Sequence, residues 1–189
     1  MKKIILCLVL ITLNGCLSMF IKQPEATLEI KNDEFKGIKT VTLEANLYSL
    51  ETHRLMGSDI PFFAAKCIFY KEIKNNNVTA PKVTFNVQAD INREPLKGDV
   101  IFLIDDNKLN YKIEEISAEN ISKVYGSNSK VSSSNYKILR GSIKLNDSFE
   151  QSISTSNPIK IRLYSGEKPM TFSIENNDLK KLSEFLAAK

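Results

Sequence analysis

Val83-Thr84-Phe85-Asn86-Val87-Gln88-Ala89-Asp90-Ile91 decides the fold class. Val83, Phe85, Val87, Ala89 and Ile91 fall on one side of an extended chain, and Thr84, Asn86, Gln88 and Asp90 on the other. Period two marks a strand with one buried and one wet face, because successive side chains point in opposite directions. The signature recurs on either side. Upstream, Val41, Leu43, Ala45 and Leu47 alternate with Thr42, Glu44, Asn46 and Tyr48. Downstream, the apolar runs 100–104 and 109–113 flank Asp105-Asp106-Asn107-Lys108. Two such runs split by a short Asp/Asn cluster read as a β-hairpin. Ile159, Ile161 and Leu163 alternate with Lys160, Arg162 and Tyr164, and Met170, Phe172 and Ile174 alternate after the turn Gly166-Glu167-Lys168. That is a second hairpin.

The stretches between are less regular. Residues 27–30 read as a short strand and 31–37 as a charged turn. Residues 51–59, with Gly57, form a polar loop holding the only histidine, His53. The apolar run 61–70 is either a strand buried on both faces, which its aromatics favour, or a short helix, which Ala64-Ala65 keeps open. Residues 74–77 and 93–98 are turns. Ile121 and Val124 have helical spacing, so 117–125 reads as a helical turn, and 126–135 as a mobile loop. Residues 136–145 form a strand broken or bulged near Gly141. Phe149 and Ile153 suggest a short helix. The chain closes in an amphipathic helix capped by Asn177, with Asp178 in its first turn and Leu179, Leu182, Phe185 and Leu186 on its apolar face. The preceding hairpin is the nearest surface for that face. There is no internal repeat at solenoid periods. The fold class is therefore mainly β or α+β: a largely antiparallel, β-sandwich-like domain of about eight strands with a C-terminal helix, spanning residues 27–189.

Few residues offer chemistry. A Ser-His-Asp site would have to use His53, and no G-x-S-x-G elbow accompanies it, so His53 reads as a solvated loop residue. Phosphate-loop and dinucleotide fingerprints are lacking. One histidine and one free cysteine cannot assemble a His/Cys zinc site. Asp105, Asp106 and Asn107 resemble oxygen ligands for calcium only faintly, and hairpin-turn chemistry accounts for them. Glu114 and Glu115 would make half of a glycosidase pair, but strand neighbours face opposite ways. No catalytic residue, metal ligand or cofactor is expected. One exposed face stands out: Lys160, Arg162 and Tyr164 on one strand, with Lys168 nearby, suited to an anionic partner or lipid head groups. The plainer reading is a solvated strand whose charges protect a sheet edge.

The chain opens Met1-Lys2-Lys3, follows with an apolar run over residues 4–13, and reaches Leu13-Asn14-Gly15-Cys16-Leu17-Ser18. About ten apolar residues suit the h-region of an export signal and fall short of the roughly twenty needed to span a bilayer. An A-x-A-like cleavage site is absent. Leu13-Asn14-Gly15-Cys16 resembles the lipobox of bacterial lipoproteins, with an aliphatic residue at −3, a small one at −1 and then the cysteine; Asn14 stands where Ala, Ser or Thr is usual. The resemblance covers residues 1–18. It implies cleavage before Cys16, a diacylglycerol on its thiol and acylation of the new amine, palmitate being a typical acyl group. Two or more chains give a stable membrane anchor where one does not. Leu17, rather than Asp, implies the outer membrane by the enterobacterial sorting rule. Residues 1–15 are then the signal and 16–26 a short tether, at most about 35 Å when extended.

Without Lys2 and Lys3 the chain holds 24 basic and 22 acidic residues, a formal +2. Near-balance argues against a nucleic-acid binder, which would carry a clustered basic face. With Cys16 acylated, Cys67 is left alone in an apolar neighbourhood and reads as a buried thiol rather than a nucleophile. The functional expectation is a membrane-anchored, non-catalytic envelope lipoprotein acting as a protein-interaction or structural module. Its rivals are a small-ligand binder, with a deep apolar pocket, and an envelope hydrolase, with clustered perturbed ionisable groups.

Overall fold

The computed structural model describes residues 24–189, except 56, 57, 76, 128, 129 and 154–156; of 54, 55, 58, 59, 125–127 and 130–132 it describes the backbone alone. The expectations for the signal, for Cys16 and for most of the tether lie outside these residues, as does Gly57. The strands are β1 (Thr27–Asp33), β2 (Ile38–Tyr48), β3 (Thr52–Leu55), β4 (Ser58–Pro61), β5 (Ala64–Lys74), β6 (Asn77–Val78), β7 (Lys82–Ala89), β8 (Asp99–Ile104), β9 (Asn107–Lys112), β10 (Glu114–Ser127), β11 (Lys130–Lys144), β12 (Ile159–Ser165) and β13 (Lys168–Ile174). Helix α1 (Asp147–Ser152) lies before β12, and α2 (Asn176–Ala187) follows β13.

The alternating stretch 83–89 becomes β7, near the middle of a seven-stranded sheet ordered β1-β2-β5-β7-β11-β10, with β6 pairing on β5. A four-stranded sheet runs β13-β12-β8-β9, and β3-β4 is a separate hairpin. All strand pairs are antiparallel. The inner faces of the two larger sheets share one apolar core. Val83, Phe85 and Val87 of β7, Phe69 of β5 and Leu43 of β2 are buried there, with Phe102 of β8, Ile161 of β12 and Phe172 of β13. Phe85 meets Phe102 across the interface at a centroid distance of 6.4 Å. Each fully buried side chain of this size contributes roughly 1.5–3 kcal/mol. Backbone bridges Ser49–Phe172 and Leu96–Ser165 fasten the layers at their corners. The expected antiparallel sandwich-like domain with a C-terminal helix is what the chain forms.

α1 plugs one opening of the core. Asn146 caps it, its side chain accepting from the Phe149 N–H at 3.3 Å, and Phe149 packs edge-on against Phe102 at 5.2 Å. α2 covers the large sheet rather than the preceding hairpin. Phe185 lies 6.0 Å from Phe69, and buried Lys71 of β5 donates to the Leu186 carbonyl at 2.8 Å. Asn177 does not cap α2; Glu175 occupies that position without a side-chain cap bond. Asp178 instead turns inward and accepts from the Ala26 N–H at 2.7 Å, while Lys181 donates to the Ala26 carbonyl. Ala26 is buried.

Several local expectations are overturned. Residues 117–125 are strand, because register with β11 over Ser117–Arg140 to Ser127–Lys130 satisfies their backbone groups; helical spacing of two residues does not outweigh a sheet partner. The described residues of 126–135 extend that hairpin rather than forming a loop. Residues 52–55 and 58–61 pair as β3-β4, so His53 sits on a strand. Residues 64–74 are strand, with one face buried and the other half-exposed rather than both buried. β11 starts at Lys130 rather than at 136; near Gly141 the expected irregularity is present as a register shift in the facing stretch of β10, between Glu114 and Ser117, and Ile113 occupies the space a side chain would need at the glycine. The described residues form thirteen strands where about eight were expected, since paired polar segments carry no apolar signal.

Candidate functional site

The outward face of the four-stranded sheet is a small grid fixed by register. Lys108, Leu103, Lys160 and Ser173 form one row across β9, β8, β12 and β13. Asn110, Ile101, Arg162 and Thr171 form the next. Tyr164 follows Arg162 on the same side of β12, opposite Pro169. Their inward neighbours Ile159, Ile161 and Leu163 are buried, which pins the strand's facing, because a one-residue slip would expose all three. A hollow of about 270 Å³ opens here, lined by Ile101, Leu103, Lys108, Lys160, Arg162, Tyr164 and Thr171. The structure thus brings together the three residues singled out from the sequence. Lys168 is not with them; it lines a separate cleft beside Phe62 and Arg93.

The electrostatics of this face differ from the rest of the sheets. On the large sheet, outward Lys66 pairs with Glu44 at 2.5 Å and Arg140 with Glu119 at 2.7 Å. Lys112 on β9 pairs with Asp99 at 2.5 Å. Among the described residues, no carboxylate lies within ion-pair distance of Lys108, Lys160 or Arg162. Arg162 donates from Nε to the hydroxyl of buried Thr171 at 3.2 Å, which fixes the plane of its guanidinium. β12 is an interior strand, so Lys160 and Arg162 do not protect a sheet edge; Lys108 is on the edge strand β9. The sequence reading missed Ile101, Leu103, Lys108 and Thr171. Its available signal was the run 100–104, in which apolar residues continue through the outward positions.

The other candidates have structural occupations. Cys67 is buried in the inner face of β5, and burial pushes its thiol up to about 12; Lys66 faces the opposite way. His53 stacks on Phe62 at 4.9 Å. Asp105 and Asp106 make the β8–β9 turn, and Asp105 accepts from Asn157 at 2.6 Å. Glu114 and Glu115 do not face opposite ways. A register shift and a φ of 53° at Glu115 bring both carboxylates to neighbouring outward lysines, Lys144 at 3.8 Å and Lys82 at 2.6 Å. The hydrogen bonds from Lys82 and then Ser142 hold the Glu115 carboxyl below its ordinary range. A larger surface cleft, about 760 Å³, lies beneath the β3-β4 hairpin between Ile60, Phe62, Phe63, Tyr136 and Arg93. Arg93 sits 4.7 Å over the Phe63 ring. No metal-ligand cluster is found among the described residues, and none of their helices is long and apolar enough to cross a membrane.

No protein-family model, curated protein or solved structure matches this chain.

Proposed function

We propose that this chain is a lipid-anchored protein of the bacterial cell envelope, facing the periplasm or cell surface from the outer membrane, and that it works by binding rather than catalysis. The observation that carries this reading is Leu13-Asn14-Gly15-Cys16 at the end of a short apolar run behind Lys2-Lys3. Cys16 is the lipidated residue. Non-catalytic action is supported by the ionisable side chains. The Cys67 thiol is kept protonated by burial, and Glu114 and Glu115 are engaged by lysines. A protein partner from the envelope is supported by fully exposed Phe35 at the β1–β2 turn. Exposed Ile30 and Val78 lie toward the same end of the large sheet. An uncovered aromatic of this kind is a recurrent anchor of protein interfaces.

Mild crosslinking in cells, purification from the membrane and mass spectrometry test the interaction role, with Cys16→Ala as the control for bystanders. A recurrent, stoichiometric envelope protein is expected. A preparation without companions contradicts it. The 760 Å³ cleft beneath β3-β4 favours a second reading, small-ligand binding, since its volume and aromatic lining suit one. That reading expects a bound molecule in native mass spectrometry.

A further inference from the structure

We infer that the outward face of the four-stranded sheet is a phosphoryl-binding site, with the Arg162 guanidinium as its fork and Lys108 and Lys160 as its flanking cations.

The argument starts from what the fold leaves unbalanced. Like charges set close together on a sheet destabilise it, and the remedy used elsewhere in this molecule is a cross-strand carboxylate. On β12 the cross-strand neighbours of Lys160 and Arg162 are Leu103, Ile101, Ser173 and Thr171, none acidic. Lys108 adds a third cation to the same hollow from the other side of Leu103. Strands about 4.8 Å apart, and a two-residue step of roughly 7 Å along β12, put the three within reach of one bound group. Acidic Asp105 and Asp106 border the Lys160 end, Asp99 is already paired with Lys112, and the Glu51 carboxylate beside Arg162's partner Thr171 is taken by the Thr171 N–H at 2.9 and 3.0 Å.

The chemistry selects the ligand. A guanidinium whose Nε is tied to Thr171 presents its outer N–H groups as a planar fork, the geometry that matches phosphate and carboxylate oxygens. Two lysines add point charges from different directions. A phosphoryl group has enough oxygens to meet all three cations at once, and its negative charge offsets more of theirs than a carboxylate does. The hollow, about 270 Å³, lies at or below the lower limit of pockets that enclose a whole small molecule, roughly 300 Å³. It suits a head group whose apolar continuation rests on Leu103 and Ile101.

Two sources share that chemistry: a free phosphate and the head group of an anionic phospholipid. The second is favoured by the lipid-anchored reading, which holds the domain close to phospholipid head groups. Only this assignment of source rests on the lipid-anchored reading; the phosphoryl site stands on the side chains themselves.

The test is calorimetric titration of the full chain in neutral detergent with monomeric dihexanoyl phosphatidylglycerol, dihexanoyl phosphatidylcholine and inorganic phosphate, at two ionic strengths. Saturable, salt-weakened binding of phosphatidylglycerol is expected, at least ten-fold weaker in Lys160→Ala/Arg162→Ala and unchanged in Lys66→Ala, which alters a paired cation on the other sheet. Unfolding midpoints should show the double variant as stable as the parent or more so, which a merely structural pair would not allow. Inorganic phosphate binding as tightly as the lipid supports the site and assigns it to a free phosphoryl ligand. No saturable binding of either, binding that survives the double substitution, or equal binding of the zwitterionic lipid overturns the inference. None of these outcomes depends on whether Cys16 is acylated, which is measured separately.

Discussion

Cys67 shows how much a single buried group reveals. Its thiol sits on the inner face of β5 and is held protonated up to about 12, against 9.0 for the unperturbed group, by burial alone. The folded chain therefore keeps a proton that the unfolded chain loses first. The stability this represents is complete below pH 9 and declines as pH rises toward 12. Urea unfolding at pH 8 and pH 10 should show a loss of about 1 kcal/mol that Cys67→Ala does not share; equal losses in both proteins would place the thiol at the surface. Gly141 is the second informative position. A Cβ there would stand 2.4 Å from Ile113 Cγ2 and 3.2 Å from Leu96 Cδ1. Gly141→Ala should cost about 1–3 kcal/mol by overpacking, measured by thermal or urea unfolding, whereas Gly98→Ala, with nothing within 4 Å, should not. At this scale the sequence was partly legible. The apolar surroundings of Cys67 indicated burial, and the glycine marked the place where the register between β10 and β11 shifts. The side chain that fills the space over it, Ile113 between β9 and β10, lies 28 positions away and leaves no local trace. Lys71 was equally hidden: it shares the inward phase of Cys67, Phe69 and Ile73, and the Leu186 carbonyl and Phe185 ring of a distant helix explain it.

Among the elements, those that bury one face were readable. β2, β7 and β12 alternate as their sequences do, since each has one face on the core, and β13 does so except at Thr171, which is buried on the outward side. The elements that escaped notice are held by backbone pairing instead. The described side chains of β10 are exposed or half-exposed on both sides, and the ladder to β11 does the work that apolar contrast does elsewhere. The C-terminal helix was recognisable from its apolar stripe, but its docking partner was not. Asp178, which reads as a helix-dipole residue, is a clamp between the last helix and the first strand. Asp178→Ala should lower stability by about 2 kcal/mol, the scale of a buried hydrogen bond to a charged group. It should also raise hydrogen exchange at the Ala26 amide well above that of β2. Exchange at Ala26 unchanged by the substitution would show that the clamp carries no weight.

Taken as a whole, the molecule is a two-layered antiparallel domain whose smaller sheet carries a basic face, in which, among the described residues, no carboxylate lies within ion-pair distance of Lys108, Lys160 or Arg162. Three of the residues in that face were visible beforehand because they alternate with buried isoleucine and leucine. Their lack of carboxylate partners was not visible, since that depends on which strands lie alongside. The lipid-anchored reading makes the placement of the face functional: a domain held within about 35 Å of a bilayer meets phospholipid head groups continuously. Everything in that account depends on acylation at Cys16, so the most direct measurement is metabolic labelling with palmitate in cells producing the parent chain or Cys16→Ala, followed by membrane fractionation. The parent should carry the label and sediment with membranes, and Cys16→Ala should lose the label and leave the membrane fraction. Unlabelled parent protein, or a Cys16→Ala variant that stays with the membranes, would contradict the lipid anchor.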